Sequence, residues 1–275
     1  MGGLRAQGVV QHRRIVPRTE RETALRPARS LVLLLPLLLA GCGGNWGWHV
    51  VNPTDPRGQT NLLFIMEGLG ATIGLALAAM ALSLVLGTIV ALLGFARFRL
   101  FRVVNRIWVE VFRAVPILVL ILWSFYGLPV VLGIRLDVFT AALLAIALCD
   151  SAFEAEILRG GIQSVEQGQR EGAFALGLSR WQAMRFIILP QAIRRVLPPI
   201  ANQFIYVVKM SSLASVIGYQ EITRRANELV VSVFRPLEIY TVLILLYLVL
   251  ILAISFAVRW LERRLGADQS RPREP

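Results

Sequence analysis

Five stretches of this sequence are long and apolar enough to cross a hydrocarbon layer of ~30 Å, which takes roughly 20 residues of helix. They occupy residues 62–95, 107–128, 138–158, 196–218 and 238–258. In lipid every peptide group must be satisfied within the protein, so runs of this length select helices. The expected fold is therefore all-α: a polytopic membrane protein with a five-helix core. Composition agrees. Apolar residues make up 56% of the chain and charged residues only 17%, against about 25% charged in an ordinary soluble domain. Two cysteines, Cys42 and Cys149, and two histidines, His12 and His49, offer no metal-ligand spacing and little for general-base chemistry.

A shorter apolar run, 31–40, follows Arg26 and Arg29 and ends in Leu39-Ala40-Gly41-Cys42. A basic start, a short apolar stretch and small residues before a cysteine describe a lipoprotein signal, with Cys42 as its lipidation site. The same run also reads as a retained first span. The arginine-rich residues 1–30 before it read as a cytoplasmic leader, or as sequence upstream of the true start. Residues 31–61 are then an N-terminal hydrophobic segment with an external linker, and 265–275 a cytoplasmic tail.

The net charge is +12, from 29 basic and 17 acidic residues, and Lys209 is the one lysine. Placement of the arginines separates a membrane role from nucleic-acid binding. Segments 1–30, 96–106, 159–195 and 259–275 hold 22 arginines, whereas 45–61, 129–137 and 219–237 hold 5. This bias puts the first set in the cytoplasm and the C-terminus inside. The arginines do not gather on one groove-sized element, so no nucleic-acid partner is implied.

Residues 159–195 form a long, helix-patterned loop between spans. Gly177 suits the left-handed residue that closes one helix, Ser179 suits the cap of the next, and Pro190 is expected to limit the second helix. Trp181, Met184, Ile187 and Ile188 recur at helical spacing, an apolar face that needs a partner or the membrane interface.

This loop carries a resemblance. Glu171-Gly172-Ala173, three residues, Gly177, nine residues, then Ile187-Ile188-Leu189-Pro190 is similar to the E-A-A-x3-G-x9-I-x-L-P signature of the membrane subunits of bacterial ABC importers, with Gly172 in place of alanine. Glu110-Val111-Phe112-Arg113-Ala114-Val115-Pro116, Phe125-Tyr126-Gly127-Leu128-Pro129, the stretch from Ala155 to Ile162 and Lys209-Met210-Ser211-Ser212-Leu213 resemble the polar amino acid branch of that family. Met210 stands where the branch more often has a polar or acidic residue. The resemblance covers about residues 62–264. It implies a type I importer transmembrane domain whose loop 166–190 docks on a cytosolic ABC ATPase dimer. It further implies a second permease copy, identical or paralogous, a periplasmic solute-binding protein, and a location in the bacterial inner membrane. The chain has no G-x-x-x-x-G-K-[ST] motif, so no cofactor is expected in it: ATP and Mg would be bound by the partner, and the permease itself would not be an enzyme.

Ionisable groups inside spans are expensive, and they mark pathways or ion pairs. Asp150 and Glu154 share a helix face and suit either the ammonium of an amino acid or a salt bridge to Lys209 or Arg113. Glu156 suits Arg159 or Arg113, with Glu110 a further ion-pair candidate. Ser211 and Ser212 are candidate contacts for a substrate carboxylate. Gly70/Gly74/Ala78 and Ser83/Gly87/Ala91 look like helix-contact faces. Pro116 and Pro198-Pro199 are hinges or static bends. The rival functions are an ion-coupled carrier working through Asp150 and Glu154, a membrane-embedded enzyme, and an envelope protein anchored at Cys42.

Overall fold

The computed structural model describes residues 46–264. The leader 1–30, the run 31–40 with Cys42, and the tail from 265 lie outside the described residues. Within them there are helices and no strand. The elements are α1 (Pro56–Gly94), α2 (Arg99–Ala114), α3 (Ile117–Leu132), α4 (Val138–Gln163), α5 (Gln167–Ala175), α6 (Arg180–Ile217), α7 (Ile222–Val233) and α8 (Pro236–Arg264).

Local chemistry sets the ends. Asp55 caps α1 by accepting the Arg57 N–H at 2.8 Å, with Pro56 in the first turn, where its missing donor costs nothing. Asp137 caps α4, accepting from the Thr140 N–H (3.0 Å) and hydroxyl (2.5 Å); those bonds hold its carboxyl below the usual carboxylate range. Gly218, at φ 93°, closes α6 in the left-handed region that glycine enters without steric cost.

Helix α4 is the central post. Ala141, Ala142, Ala145, Ala147, Ala152 and Ala155 are buried along it, and these small side chains let neighbouring backbones approach closely. Leu75, Ala76 and Ala79 of α1, Ile121 of α3, and Val207 and Val208 of α6 complete the main core. At the other extreme, α8 is an apolar cover, with Ile244, Leu248, Val249, Leu252 and Phe256 exposed.

Contacts fix the helix directions. Ser83 meets Asp150, and Gly87 lies against Glu154 and Ser151, so α1 and α4 run parallel. Gly161 abuts Val196 while Asp150 bonds Gln203, so α6 runs antiparallel to α4. The chain must therefore cross once between α1 and α4. The α2–α3 pair makes that crossing, bent by 98° at Val115-Pro116. The five-span core is present as four unbroken helices and one broken one.

Two boundaries differ from expectation. Pro190 does not limit the elbow helix, and no span starts afresh at residue 196: α6 runs from Arg180 through Pro190, Pro198 and Pro199 to Ile217. The turn from Ala183 to Ile188 is wound with wide i→i+5 bonds. Such a turn displaces the bonding ladder just where Pro190 would otherwise clash with the preceding turn.

Candidate functional site: an exposed elbow and a cavity at the broken helix

The loop between α4 and α6 is a rigid elbow. Helix α5 ends where Gly177 turns left-handed at φ 77°; the Gly177 N–H reaches Phe174 O (2.9 Å) and the Leu178 N–H reaches Ala173 O (3.1 Å). A Cβ on Gly177 would meet nothing within 4 Å, so its constraint is conformational alone. Ser179 then builds a complete capping box: its hydroxyl accepts the Gln182 N–H, and Gln182 Oε1 accepts the Ser179 N–H at 2.8 Å.

The elbow has two apolar sides. Val165, Ile188 and Ala192 are buried under it with Met184 and Ile162. The Arg170 guanidinium donates to Ile162 O at 2.7 Å, and that of Arg195 donates to Ser164 O. Outward, Phe174, Leu176 (81% exposed), Trp181 (69%) and Phe186 are bare. The expected single face of Trp181, Met184, Ile187 and Ile188 is thus split: Trp181 points out, Met184 and Ile188 point in, and Ile187 is half-buried. The wide turn at 183–188 breaks the 3.6-residue period on which that face was drawn. Of the motif residues, Ala173 is buried, while Glu171 is exposed and accepts from Gln167 Nε2 at 2.7 Å. Gly172, Leu189 and Pro190 are exposed.

The second feature lies at the joint of α2 and α3. Pro116 cannot continue the ladder of α2, and the resulting bend opens a cavity of about 370 Å³. Arg113, Pro116, Cys149, Asp150, Tyr206 and Met210 are among its lining residues. Asp150 is held in place by two donors, Ser83 Oγ at 2.5 Å and Gln203 Nε2 at 2.6 Å. Arg113 stacks over the Phe153 ring, 5.4 Å from its centroid. A cation and a carboxylate thus border one space, an arrangement suited to a zwitterion.

Other sequence candidates fall elsewhere. Lys209 is exposed and makes no ion pair among the described residues. It lies six residues beyond Gln203, about 120° round the helix from the face that reaches Asp150, so the expected bridge from the acids to Lys209 is absent. Glu154 is fully buried with neither oxygen hydrogen-bonded to any described residue, its Cβ side pressed towards Gly87. Ser211 and Ser212 return their hydroxyls to the carbonyls of Val208 (2.8 Å) and Lys209 (2.7 Å) and do not line the cavity. Glu156 and Arg159 form a two-pronged pair at 3.0 and 2.6 Å. Glu110 and Arg113 form no ion pair among the described residues. Both border a polar groove of about 460 Å³ with Arg102, Arg106, Glu156 and Arg159, and Arg113 links this groove to the cavity.

Sequence reasoning missed Ser83, Gln203 and Tyr206 as neighbours of the site. Gln203 carried a usable signal, since it is a polar residue within an apolar run. Ser83 was visible only as a small residue.

A bundle of five crossings, a cavity at a broken helix bordered by Arg113 and Asp150, and a loop-borne elbow define a membrane-transport subunit. Residues 83–267 match the family of binding-protein-dependent transport system inner membrane components, and the chain belongs to that family. It is 39% identical over 222 residues to the glutamine transport system permease protein GlnP of Escherichia coli, covering 79% of this chain and 97% of that one. It is 34% identical to the arginine transport system permease protein ArtQ of Bacillus subtilis, over 74% and 94% of the two chains. Among solved structures, an amino acid ABC transporter crystallised with histidines matches at 35% identity and a TM-score of 0.72, covering 75% of this chain and 96% of that one. The inward-facing methionine transporter MetNI shares the fold at 21% identity and a TM-score of 0.63, covering 75% and 98%.

Proposed function

We propose that this chain is the permease subunit of an ATP-driven amino acid importer, with the elbow as its mechanical input and the cavity at Pro116 as its solute site. The observation that carries this reading is the two-sided elbow. One apolar side is anchored to α4 and α6, and the other is bare and held rigid by Gly177 and the Ser179 box. A soluble ATPase dimer gripping the bare side would move α4 and α6 together, and with them Asp150 and Gln203. The elbow end carries the arginine-rich segments and faces the cytoplasm; a periplasmic binding protein delivers solute at the opposite end. Residues 62–264 are the transmembrane domain, 166–190 its coupling loop, and a second permease copy completes the path. ATP and Mg belong to the partner, so this subunit moves solute without making or breaking bonds. The amino acid relatives support an amino acid cargo, whose carboxylate suits Arg113 and whose ammonium suits Asp150.

Replacing Gly177 by valine forces a β-branched residue into the left-handed region. Insertion into the membrane is expected to stay normal, while co-purification with the ATPase and uptake are lost. Normal docking and uptake would remove the coupling assignment. For the cavity, Asp150→Asn is expected to lose uptake while keeping ATPase docking; unchanged uptake and substrate preference would place the pathway elsewhere.

A further inference from the structure

The first two turns of α2 carry Arg99, Arg102 and Arg106 at i, i+3 and i+7, which is one stripe of the helix. With Val103 they line a cleft of about 310 Å³. None of the three has a carboxylate partner among the described residues. Three guanidiniums on adjacent turns repel one another, and a cleft between them concentrates anions. The surroundings narrow the choice of anion. Phe98 is 72% exposed, and Phe101 and the cleft-lining Val103 are also bare. Phe98 and Phe101 meet edge to face at 6.1 Å, a small aromatic platform beside the arginines. A free phosphate would satisfy the guanidiniums and leave these apolar side chains in water. A molecule with an anionic head and hydrocarbon tails satisfies both.

We propose that the cleft of Arg99, Arg102 and Arg106 seats the phosphate of an anionic phospholipid, with its acyl chains along Val103 and the pair of Phe98 and Phe101, which flank the arginine stripe. The inference rests on the reading that the elbow end of the bundle faces the cytoplasm, because the start of α2 lies at that end, where anionic lipid of the inner leaflet is at hand. Guanidinium is the suitable head for the task, since it grips phosphate oxygens in pairs and sheds water more readily than ammonium. Arg102 and Arg106 also border the polar groove that runs to Arg113. An occupied lipid site would therefore hold them away from that groove.

The test uses the full chain, extracted and washed in detergent, with mixed phosphatidylglycerol and phosphatidylcholine supplied and bound lipid counted by native mass spectrometry. The wild type is expected to retain phosphatidylglycerol over phosphatidylcholine. Retention should fall about fivefold for each of R99Q, R102Q and R106Q and on the order of a hundredfold for the triple variant. R259Q, at an exposed arginine of α8 outside the cleft, should retain it fully. Three results would overturn the proposal: equal retention in the triple variant, displacement of the lipid by millimolar inorganic phosphate alone, or a changed number of permease copies with lipid retention intact, which would make the stripe a subunit contact. The orientation is checked separately with Arg97→Cys in a Cys42→Ser, Cys149→Ser background. An impermeant maleimide should leave it unlabelled in intact spheroplasts. Labelling there would sink the orientation while the detergent result still reports on the cleft.

Discussion

Helix α1 carries two rows of small residues with the same four-residue spacing, and the fold treats them in opposite ways. Ser83, Gly87 and Ala91 are buried against α4. A Cβ on Gly87 would lie 2.6 Å from Glu154 Cβ and 3.0 Å from the Ser151 carbonyl. Gly70 and Gly74 are exposed, and a Cβ on either would meet no described residue within 4 Å. The N-terminal half of α1 is held from another side. A Cβ on Gly68 would come within 2.6 Å of the backbone between Glu221 and Ile222, and Thr72 Oγ1 accepts the Ile222 N–H at 3.2 Å. Small residues at four-residue spacing permit close packing; what a helix meets depends on which other elements arrive, and that is a property of the whole topology.

The comparison breaks most sharply at the tight positions. Gly87→Leu and Gly68→Leu each press side-chain volume into backbone that has no room to recede. Each is expected to cost about 1–3 kcal/mol by overpacking, read from unfolding of the purified chain in detergent. A cost near zero at Gly87 would mean that α1 and α4 do not meet as described. Ser83→Ala removes one of the two donors to buried Asp150 while keeping the helix contact. A loss of about 1 kcal/mol is expected, smaller than at Gly87 because the packing is retained. An equal or larger loss would make the hydrogen bond, not the close approach, the main tie between the two helices.

The tie at the N-terminal half of α1 has its own signature. Glu221 caps α7 through the Arg224 N–H at 2.7 Å and accepts from the Tyr247 hydroxyl at 2.9 Å. Burial pushes its carboxyl above the usual carboxylate range, against the lowering effect of those bonds. The native state then binds this proton more tightly than the unfolded chain. Between the ordinary carboxylate pKa and the raised one, stability therefore falls as pH rises. Glu221→Gln should flatten that part of the melting profile. A profile that falls equally in the variant would assign the slope to another group.

These differences also explain what the sequence disclosed. The five spans were legible because hydropathy acts over about 20 residues and needs no partner. The elbow was legible because Gly177 and Ser179 act within three or four residues of themselves. The proline rule misled at Pro190, because the wide turn at 183–188 reshapes the ladder ahead of it. The ties of Asp150 were not legible: Ser83 lies 67 residues away and Gln203 53, and nothing local sets which polar groups meet across helices. Lys209 drew attention as a lone cation in a span, yet its direction follows from the register of α6 against α4, which only the packed bundle supplies.

The smallest effect is expected at Gly74, and it carries the most information about assembly. In the isolated chain Gly74→Leu adds a side chain to open space and replaces a poor helix former, so unfolding should shift by less than about 0.5 kcal/mol. The same variant in the assembled importer separates two roles for the exposed row. If ATPase-bound permease still forms with the same number of copies, the row faces lipid, and its glycines serve no contact. If the isolated chain is unaffected while the copies come apart, the row is where a second permease packs, and both small-residue faces of α1 are contacts after all, one within the chain and one between chains. A large loss already in the isolated chain would contradict both roles, and would mean that the N-terminal half of α1 leans on an element other than α7.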